Sequence, residues 1–246
     1  MTTVYLIRHG QTDTNIFDGI NGSASNQPLN ETGLAMAANL TPVFADVPLD
    51  AIYASNLTRA IQTAEGVRGT RKMEIVTDPD LQEMDFGRMD GMSGKQAKQA
   101  FPKEFRIWAR QPEKFHPPGS HEDWKLFQVR LVKAFLRIVR ENRGKCVAIV
   151  GHGAAFSVLT AKLLGLPLRD YRLLMMLSNS AYRILQIEDD GHLFIDTLEH
   201  CEHLPPEWRL RRRRARAAQK RARKMPRRVF YAPLKMTKKE RKQYAD

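Results

Sequence analysis

The sequence predicts an α/β fold: a three-layer sandwich with a mostly parallel sheet flanked by helices, a helical insertion over the active site, and a basic C-terminal extension. Three observations predict it. The first 87 residues alternate strand and helix signals, residues from about 88 to 143 have a mainly helical pattern, and positive charge is concentrated after residue 204. We therefore expect a domain at residues 1–204 and a tail at 205–246.

The strand and helix alternation begins at the amino terminus, where an apolar run typical of a buried strand ends on charged residues. Asn30 is a helix-capping residue at the start of the first long helical pattern. The expected elements are a strand at 3–8, a helix from Asn30 to about 44, a strand at 50–54, a helix at 57–67 and a strand at 73–76. This βαβαβ order indicates parallel strands with helices on the sheet faces.

The pattern changes after about residue 88, where helices are predicted at 93–110 and 122–142. The Pro-rich residues Gln111 to Gly119 separate them, because proline cannot continue a helix. The sheet is expected to resume with a strand at 146–150 and a helix at 154–164. Residues 181–187 and 192–198 then form a predicted antiparallel hairpin.

Charge divides the chain into a nearly neutral part and a strongly basic part. Residues 205–246 hold 17 Lys and Arg against three acidic residues, whereas residues 1–204 hold 23 Lys and Arg against 24 acidic residues. A dense run of cations gains affinity for polyanions by releasing counterions. Residues 207–242 are therefore a candidate site for nucleic acid or another polyanion, and a solvated or self-docked tail is the open alternative.

Two distant cysteines, Cys146 and Cys201, provide neither a disulfide framework nor paired metal-ligand spacing. No apolar run approaches the roughly 20 residues that span a bilayer, and the amino terminus leads directly into the first strand. We therefore expect a cytoplasmic protein with no transmembrane segment, and the sequence leaves its oligomeric state open.

Charged side chains follow the predicted strands where they end. Arg8 and His9 follow the first strand, His152 follows the strand at 146–150, and Arg59 lies in the first turn of the second helix. Parallel strands present their carboxyl ends at one edge of the sheet, where α/β folds bind ligands. Guanidinium groups match phosphate, and an imidazole can act as nucleophile or proton carrier, so this edge is a candidate anion-binding active site.

A carboxyl group follows the third predicted strand in the partly apolar sequence LQEMDFG. Glu83 is the candidate proton donor there, since an apolar setting raises a carboxyl pKa, and Asp85 competes for the role. A metal hydrolase that uses His9, His152, Glu83 and Asp85 is an alternative, but the sequence has no local ligand spacing of the His-Glu-x-x-His kind. We expect no metal and no cofactor.

Five motifs occur in order along the chain: LIRHGQTDTN, NQPLNETG, YASNLTRAIQTA, LQEMDFG and VGHG. Together they resemble the histidine phosphatase superfamily, which has the phosphoglycerate-mutase-like fold, over about residues 3–198. The insertion ending in FHPPGS resembles the phosphatase branch that contains α-ribazole and broad-specificity phosphatases. The resemblance implies a metal-independent phosphomonoesterase that hydrolyses a small phosphorylated metabolite.

The resemblance also implies roles for individual residues. His9 would be phosphorylated, Arg8 and Arg59 would clamp the phosphoryl oxygens, His152 would complete the pocket, and Glu83 would protonate the leaving alcohol. The implied substrate-binding residues are Arg8, Gln11, Asn15, Arg59 and Gly153.

Three departures from the family pattern concern the substrate. Gln11 replaces a frequent glutamate, Met36 stands where the family often has glutamine, and the residues from Gly119 to Asp123 read Gly-Ser-His-Glu-Asp where a Gly-Glu-Ser pattern is usual. The last change lies in the insertion and is expected to affect which leaving group fits. A phosphoglycerate mutase-type phosphotransferase is a weaker alternative, since the stretch after Glu83 lacks that branch's longer Arg-rich segment.

Overall fold

The structure is a computed structural model that describes residues 1–176 and 178–209. Within these residues one sheet contains the strands β1 (Thr2–Arg8), β2 (Ala51–Ser55), β3 (Ile75–Asp78), β4 (Cys146–Gly151), β5 (Tyr182–Ile187) and β6 (Leu193–Ile195). The spatial order is β3-β2-β4-β1-β5-β6. The first four strands in this order are parallel, and β5 and β6 add an antiparallel edge. The predicted α/β class with a mostly parallel sheet is confirmed.

Eight α-helices accompany the sheet in the described residues. They are α1 (Asp13–Ile16), α2 (Glu31–Ala38), α3 (Leu40–Phe44), α4 (Thr58–Arg68), α5 (Gly94–Ala100), α6 (Pro102–Arg110), α7 (Trp124–Glu141) and α8 (Gly153–Leu163). Asn30 caps α2 by accepting a hydrogen bond from Gly33 N, as its side-chain type predicts. Asp123 caps α7 in the same way, accepting from Lys125 N and Leu126 N.

Helices cover both faces of the sheet, which explains the nearly continuous apolar runs of the central strands. Helices α7 and α8 pack on one face through Val132, Phe135, Ile138, Phe156 and Leu159. Helices α3 and α4 pack on the other face through Leu40, Phe44, Ala60, Ala64 and Val67. The three layers follow from these two apolar interfaces.

The inserted helices have their own apolar core. Phe86, Trp108, Phe115 and Trp124 belong to one cluster with residues of α8. The Trp108 ring stacks on Phe115 with centroids 5.6 Å apart, and it also lies 5.1 Å from the Phe86 ring. This core attaches the insertion to the chain just after Glu83.

Several predicted boundaries were wrong, each for a local reason. The predicted helix at 93–110 breaks at Phe101, because Pro102 starts a new helix and disfavours helical backbone in the residue before it. The predicted first helix breaks at Asn39, since Pro42 cannot donate the next backbone hydrogen bond. The strand predicted at 73–76 lies at Ile75–Asp78.

None of the helices in the described part of the chain is both long enough and apolar enough to cross a bilayer. Residues 210–246 lie outside the described residues. The polyanion-binding tail at 207–242 and the domain boundary at 204 therefore stay predictions.

Candidate active site

The sheet register brings His9 and His152 together. Arg8, the last residue of β1, pairs with Gly151, the last residue of β4, and His9 N donates to Gly151 O at 2.9 Å. The two imidazoles follow these paired residues directly, and their ring centroids lie 5.3 Å apart at an angle of 57°. Both side chains are buried. The expectation that the carboxyl ends of two parallel strands meet at one edge therefore holds for this pair.

One ring nitrogen of His9 is fixed by its own loop. His9 Nδ1 lies 2.6 Å from Gly10 O, and a carbonyl oxygen can only accept, so Nδ1 carries the proton in the neutral ring. Burial lowers the pKa of His9 well below its ordinary 6.5, and the nearby guanidiniums of Arg59 and Arg8 lower it further. The ring is neutral near pH 7, and its Nε2 presents a lone pair.

Asn179 is a residue of this site that the sequence reasoning missed. Its side-chain Nδ2 lies 3.1 Å from His9 O, 3.2 Å from Gly10 O and 3.2 Å from Asn15 Oδ1. Ser180 N also donates to His9 O, and Ser180 has a left-handed backbone with φ of 57°. A polar Asn-Ser pair just before an apolar strand was the available signal.

Arg59 is fully buried and holds the loop in front of the site. Its Nη1 donates to Ser25 O at 2.5 Å, and its Nη2 donates to Gly22 O at 2.9 Å and approaches Asn21 O at 3.4 Å. The Asp90 carboxylate accepts from the N–H groups of Gly22 and Ser25, so Asp90 and Arg59 both hydrogen-bond the backbone of the loop at residues 21–25. Burial lowers the pKa of Arg59 to about 10, which leaves it charged at neutral pH.

The buried Nε of Arg59 has no hydrogen-bond partner among the residues that the structure describes. The same is true of both ring nitrogens of His152 in the described part of the chain. Burial, followed by the charge of Arg59, lowers the pKa of His152 well below 6.5, so its neutral ring offers one donor and one acceptor. Buried donors normally find partners, and their presence here favours an oxyanion ligand.

Arg8 lies at the same edge of the sheet, at the end of β1. Its Nη1 donates to Met176 O at 3.0 Å. A Cβ on Gly153 would lie 3.3 Å from Arg8 Nε, so glycine at the first position of α8 lets the guanidinium pass closely. Gly153, predicted as a substrate-binding residue, lies beside Arg8 and leaves room for it.

Glu83 is buried, with its carboxylate held by two backbone N–H groups. Oε1 accepts from Met84 N and Oε2 accepts from Ala154 N, each at 3.0 Å. Burial raises the pKa of Glu83 and outweighs these hydrogen bonds, which act in the opposite direction. The competing Asp85 instead accepts from Gly87 N at 2.8 Å in a local turn.

Asn15 and Gln11, two predicted substrate-binding residues, lie at the rim of the site. Asn15 Oδ1 is 3.1 Å from Thr12 N and also accepts from Asn179, so its Nδ2 is the group that it can present to a ligand. Gln11 Oε1 accepts from Asn30 Nδ2 at 3.2 Å and joins the site loop to the cap of α2.

Among the described residues, His9, His152 and Glu83 do not belong to a group of three or more ligand atoms close enough together to hold one metal ion. In the described ranges, the ligand atoms that gather as a metal site requires belong to Glu188, Asp190 and His192, in the turn between β5 and β6. That turn lies near the amino end of β1, where the Met1 amino group pairs with Asp189. It is therefore at the opposite edge of the sheet from His9.

Comparisons with known proteins agree with this fold. Residues 4–198 match the family described as "Histidine phosphatase superfamily (branch 1)". The Arabidopsis thaliana protein named "Probable 2-carboxy-D-arabinitol-1-phosphatase" is 29% identical over 207 residues, which are 82% of this chain and 42% of that protein. The "Adenosylcobalamin/alpha-ribazole phosphatase" of Escherichia coli (strain K12) is 29% identical over 164 residues, which are 67% of this chain and 80% of that protein.

A solved structure, Bacillus stearothermophilus YhfR, superposes with a TM-score of 0.76 at 30% identity. The match covers 82% of this chain and 99% of that one. The chain thus spans nearly the whole of this bacterial structure and less than half of the Arabidopsis relative.

Proposed function

Because this chain belongs to the histidine phosphatase superfamily, we propose that it is a metal-independent phosphoric monoester hydrolase that works through a phosphohistidine on His9. The observation that carries the proposal is the orientation of His9. Its Nδ1 is tied to Gly10 O, which leaves the Nε2 lone pair available, and the same ring lies 5.3 Å from the His152 ring and within the electrostatic influence of Arg59 and Arg8. Relatives named as phosphatases support the same reaction class.

In the first step, His9 Nε2 attacks the phosphorus of a bound phosphomonoester. The bond between phosphorus and the leaving oxygen breaks, and Glu83 gives its proton to that oxygen. Arg8, Arg59 and the donor nitrogen of His152 stabilise the charge that spreads over the equatorial oxygens. Burial favours the protonated carboxyl of Glu83, as this step requires.

In the second step, a water molecule attacks the phosphorus of phosphohistidine. Glu83, now a carboxylate, takes the proton from the water, and the bond between phosphorus and Nε2 breaks. His9 returns to its neutral form, Glu83 is again protonated, and inorganic phosphate leaves. The same carboxyl group therefore acts as acid and then as base.

The proposed substrate is a small phosphorylated metabolite with an alcohol leaving group. One relative is named a 2-carboxy-D-arabinitol-1-phosphatase and another an adenosylcobalamin/α-ribazole phosphatase, so their names differ in the alcohol part and share the phosphoryl group. The enclosed cluster of Arg8, Arg59 and His152 suits the phosphoryl group that such esters share.

The test is to screen the purified full-length protein against a panel of phosphomonoesters with a chelator present. We expect phosphate release, and a phosphoryl label on the protein that is stable to alkali and labile to acid. His9→Ala abolishes both, while His192→Ala, which changes a partly exposed histidine at the opposite edge, retains both. Near-normal turnover by His9→Ala would refute the proposal, and transfer of the label to a second alcohol rather than to water would indicate a phosphotransferase.

A further inference from the structure

Glu122 and Arg130 form a two-bond ion pair beside the chain that carries Glu83. Arg130 Nε lies 2.8 Å from Glu122 Oε1, and Arg130 Nη2 lies 2.9 Å from Glu122 Oε2. The Arg130 side chain is 21% exposed and the Glu122 side chain is 17% exposed. Such a paired geometry fixes both side chains more firmly than a single contact. Glu122 lies in the insertion segment that departs from the family pattern.

The altered segment places Glu122 through its own hydrogen bonds. Ser120 Oγ accepts from Glu122 N at 3.0 Å and donates to Glu122 O at 3.1 Å. His116 Nε2 lies 2.9 Å from Ser120 O, so the Pro-rich loop also contacts Ser120. The sequence change therefore leaves a carboxylate in a fixed position facing Arg130.

The two side chains of the ion pair hydrogen-bond the backbone on both sides of Glu83. Arg130 Nη1 donates to Asp80 O at 2.9 Å and to Gln82 O at 3.1 Å, and Nη2 lies 3.5 Å from Glu83 O. On the other side, Asp85 N lies 3.4 Å from Glu122 Oε2. A short 3₁₀ turn at Pro79–Leu81 precedes this stretch, and the hydrogen bonds from the insertion add to the bond that Met84 O accepts from Ser23 N.

We propose that Glu122 and Arg130 are positioning residues for Glu83, and that through them the insertion controls proton transfer to the leaving group. The inference rests on the proposed role of Glu83 as acid. Neither side chain contacts the Glu83 carboxyl group; they hold the backbone from which it projects. A small displacement of a proton donor costs rate only where a proton must be delivered.

Helix α7 provides a matched control. Arg137 lies seven residues after Arg130 on the same helix and pairs with Asp78 at the end of β3 and with Glu141. It joins the same helix to the same connecting chain, but at a point before the turn that leads to Glu83. A purely structural function of α7 arginines would make the two positions equivalent.

The experiment compares two substrates on the full-length enzyme: p-nitrophenyl phosphate, whose leaving group needs no proton, and glycerol phosphate, whose alkoxide does. The variants are Glu122→Gln, Arg130→Lys, Arg137→Lys and Glu83→Gln. The readout is the ratio of kcat/KM for glycerol phosphate to that for p-nitrophenyl phosphate. This ratio does not depend on the folded fraction, so it remains valid for a destabilised variant.

We expect Glu122→Gln and Arg130→Lys to lower the ratio about tenfold, and Glu83→Gln to lower it about 100-fold or more, within the range of general acid catalysis. Arg137→Lys leaves the ratio unchanged. An equal loss on both substrates in the Glu122 and Arg130 variants, or the same ratio change in Arg137→Lys, would overturn the inference.

Glu83→Gln separates the two ways in which the reasoning can fail. A lowered ratio in Glu83→Gln beside unchanged ratios in Glu122→Gln and Arg130→Lys would overturn the positioning role alone. An unchanged ratio in Glu83→Gln would overturn the acid role of Glu83 and, with it, the role of the ion pair.

Discussion

Replacing Asn179 with alanine is expected to slow catalysis while leaving substrate affinity nearly intact. The Asn179 side chain joins three acceptors: His9 O, Gly10 O and Asn15 Oδ1. Gly10 O is also the acceptor that fixes His9 Nδ1. Removing the amide therefore releases the carbonyl that orients the nucleophile. Asn15, a predicted substrate-binding residue, keeps its hydrogen bond from Thr12 N and so stays oriented.

The size of the effect follows from this geometry. Two N–H donors are lost from a buried position, and each net hydrogen bond contributes about 1 kcal/mol, so we expect a loss of about 2 kcal/mol in stability. For a chain of this length that lowers Tm by roughly 4 to 8 °C. A misplaced imidazole costs on the order of 10- to 100-fold in kcat, since a displacement near 1 Å has that effect.

Asn142→Ala is the matched control for Asn179→Ala. Asn142 is also buried, and its Nδ2 donates to Tyr53 Oη at 3.0 Å and to Ile138 O at 2.9 Å. It lies at the end of α7, before β4 begins, and so at the far edge of the sheet from His9. We expect a similar fall in Tm and an unchanged kcat, measured by thermal unfolding and steady-state kinetics. Equal kcat losses in the two variants, or a rise in KM alone for Asn179→Ala, would refute the positioning of His9 by Asn179.

Three further predictions follow from the same site. The pKa of His9 is lowered from 6.5 and that of Glu83 is raised from 4.5, so kcat/KM for an alkyl phosphate falls at low pH as His9 is protonated and at higher pH as Glu83 ionises. Glu83→Gln removes the alkaline limb, and a rate rising steadily to alkaline pH in the wild type would contradict the assignment. Orthovanadate at 100 times its Kd stabilises the enzyme by about 2.7 kcal/mol in thermal unfolding, and Arg59→Met loses this gain; equal gains would exclude Arg59 from the anion site. Gly33→Ala places a Cβ 2.0 Å from Gln11 O and costs about 1 to 3 kcal/mol, whereas Gly94→Ala meets nothing within 4 Å and is tolerated; equal Tm values would contradict this packing.

The central part of the site was predictable from the sequence because it depends on one simple rule. Parallel strands present their carboxyl ends together, so charged residues directly after β1 and β4 had to be neighbours. Arg8, His9 and His152 are positioned in this way. Arg59 follows β2, which pairs with β4, and lies within one helical turn of the same edge.

Residues that act through the main chain were not predictable in this way. Asn179 binds the backbone carbonyl oxygens of His9 and Gly10 and the side-chain oxygen of Asn15, and these partners lie 164 to 170 positions away in the chain. The ion pair of Glu122 and Arg130 likewise reaches backbone carbonyls, because Arg130 donates to those of Asp80, Gln82 and Glu83. A polar Asn-Ser pair before a strand can draw attention to such a residue, but residue type and spacing do not identify the backbone acceptors that it binds, so only the folded chain shows these contacts.

The helix breaks were a different kind of error. Pro102 was visible in the sequence, and its effect on Phe101 is a local steric property. The helical pattern at 93–110 nevertheless continues across the break, because both α5 and α6 turn apolar side chains toward the cluster that contains Phe86 and Trp108. The spacing of apolar residues shows which face of a helix is buried. Two consecutive helices that pack on the same core bury the same face, so the spacing does not reveal the break between them.

The site therefore has two supports of different origin. His9, Arg8 and His152 project from the ends of strands in the centre of the sheet, where parallel pairing fixes their spacing. Glu83 projects from a connecting segment held by an ion pair that the insertion supplies. Under the proposed mechanism, a change in the insertion would move the backbone that carries the proton donor, while strand pairing would still fix Arg8 and the two histidines. The Glu83 carboxylate also accepts from Ala154 N in α8, so the proposed acid is held through its backbone by the insertion and through its side chain by the helix that follows β4.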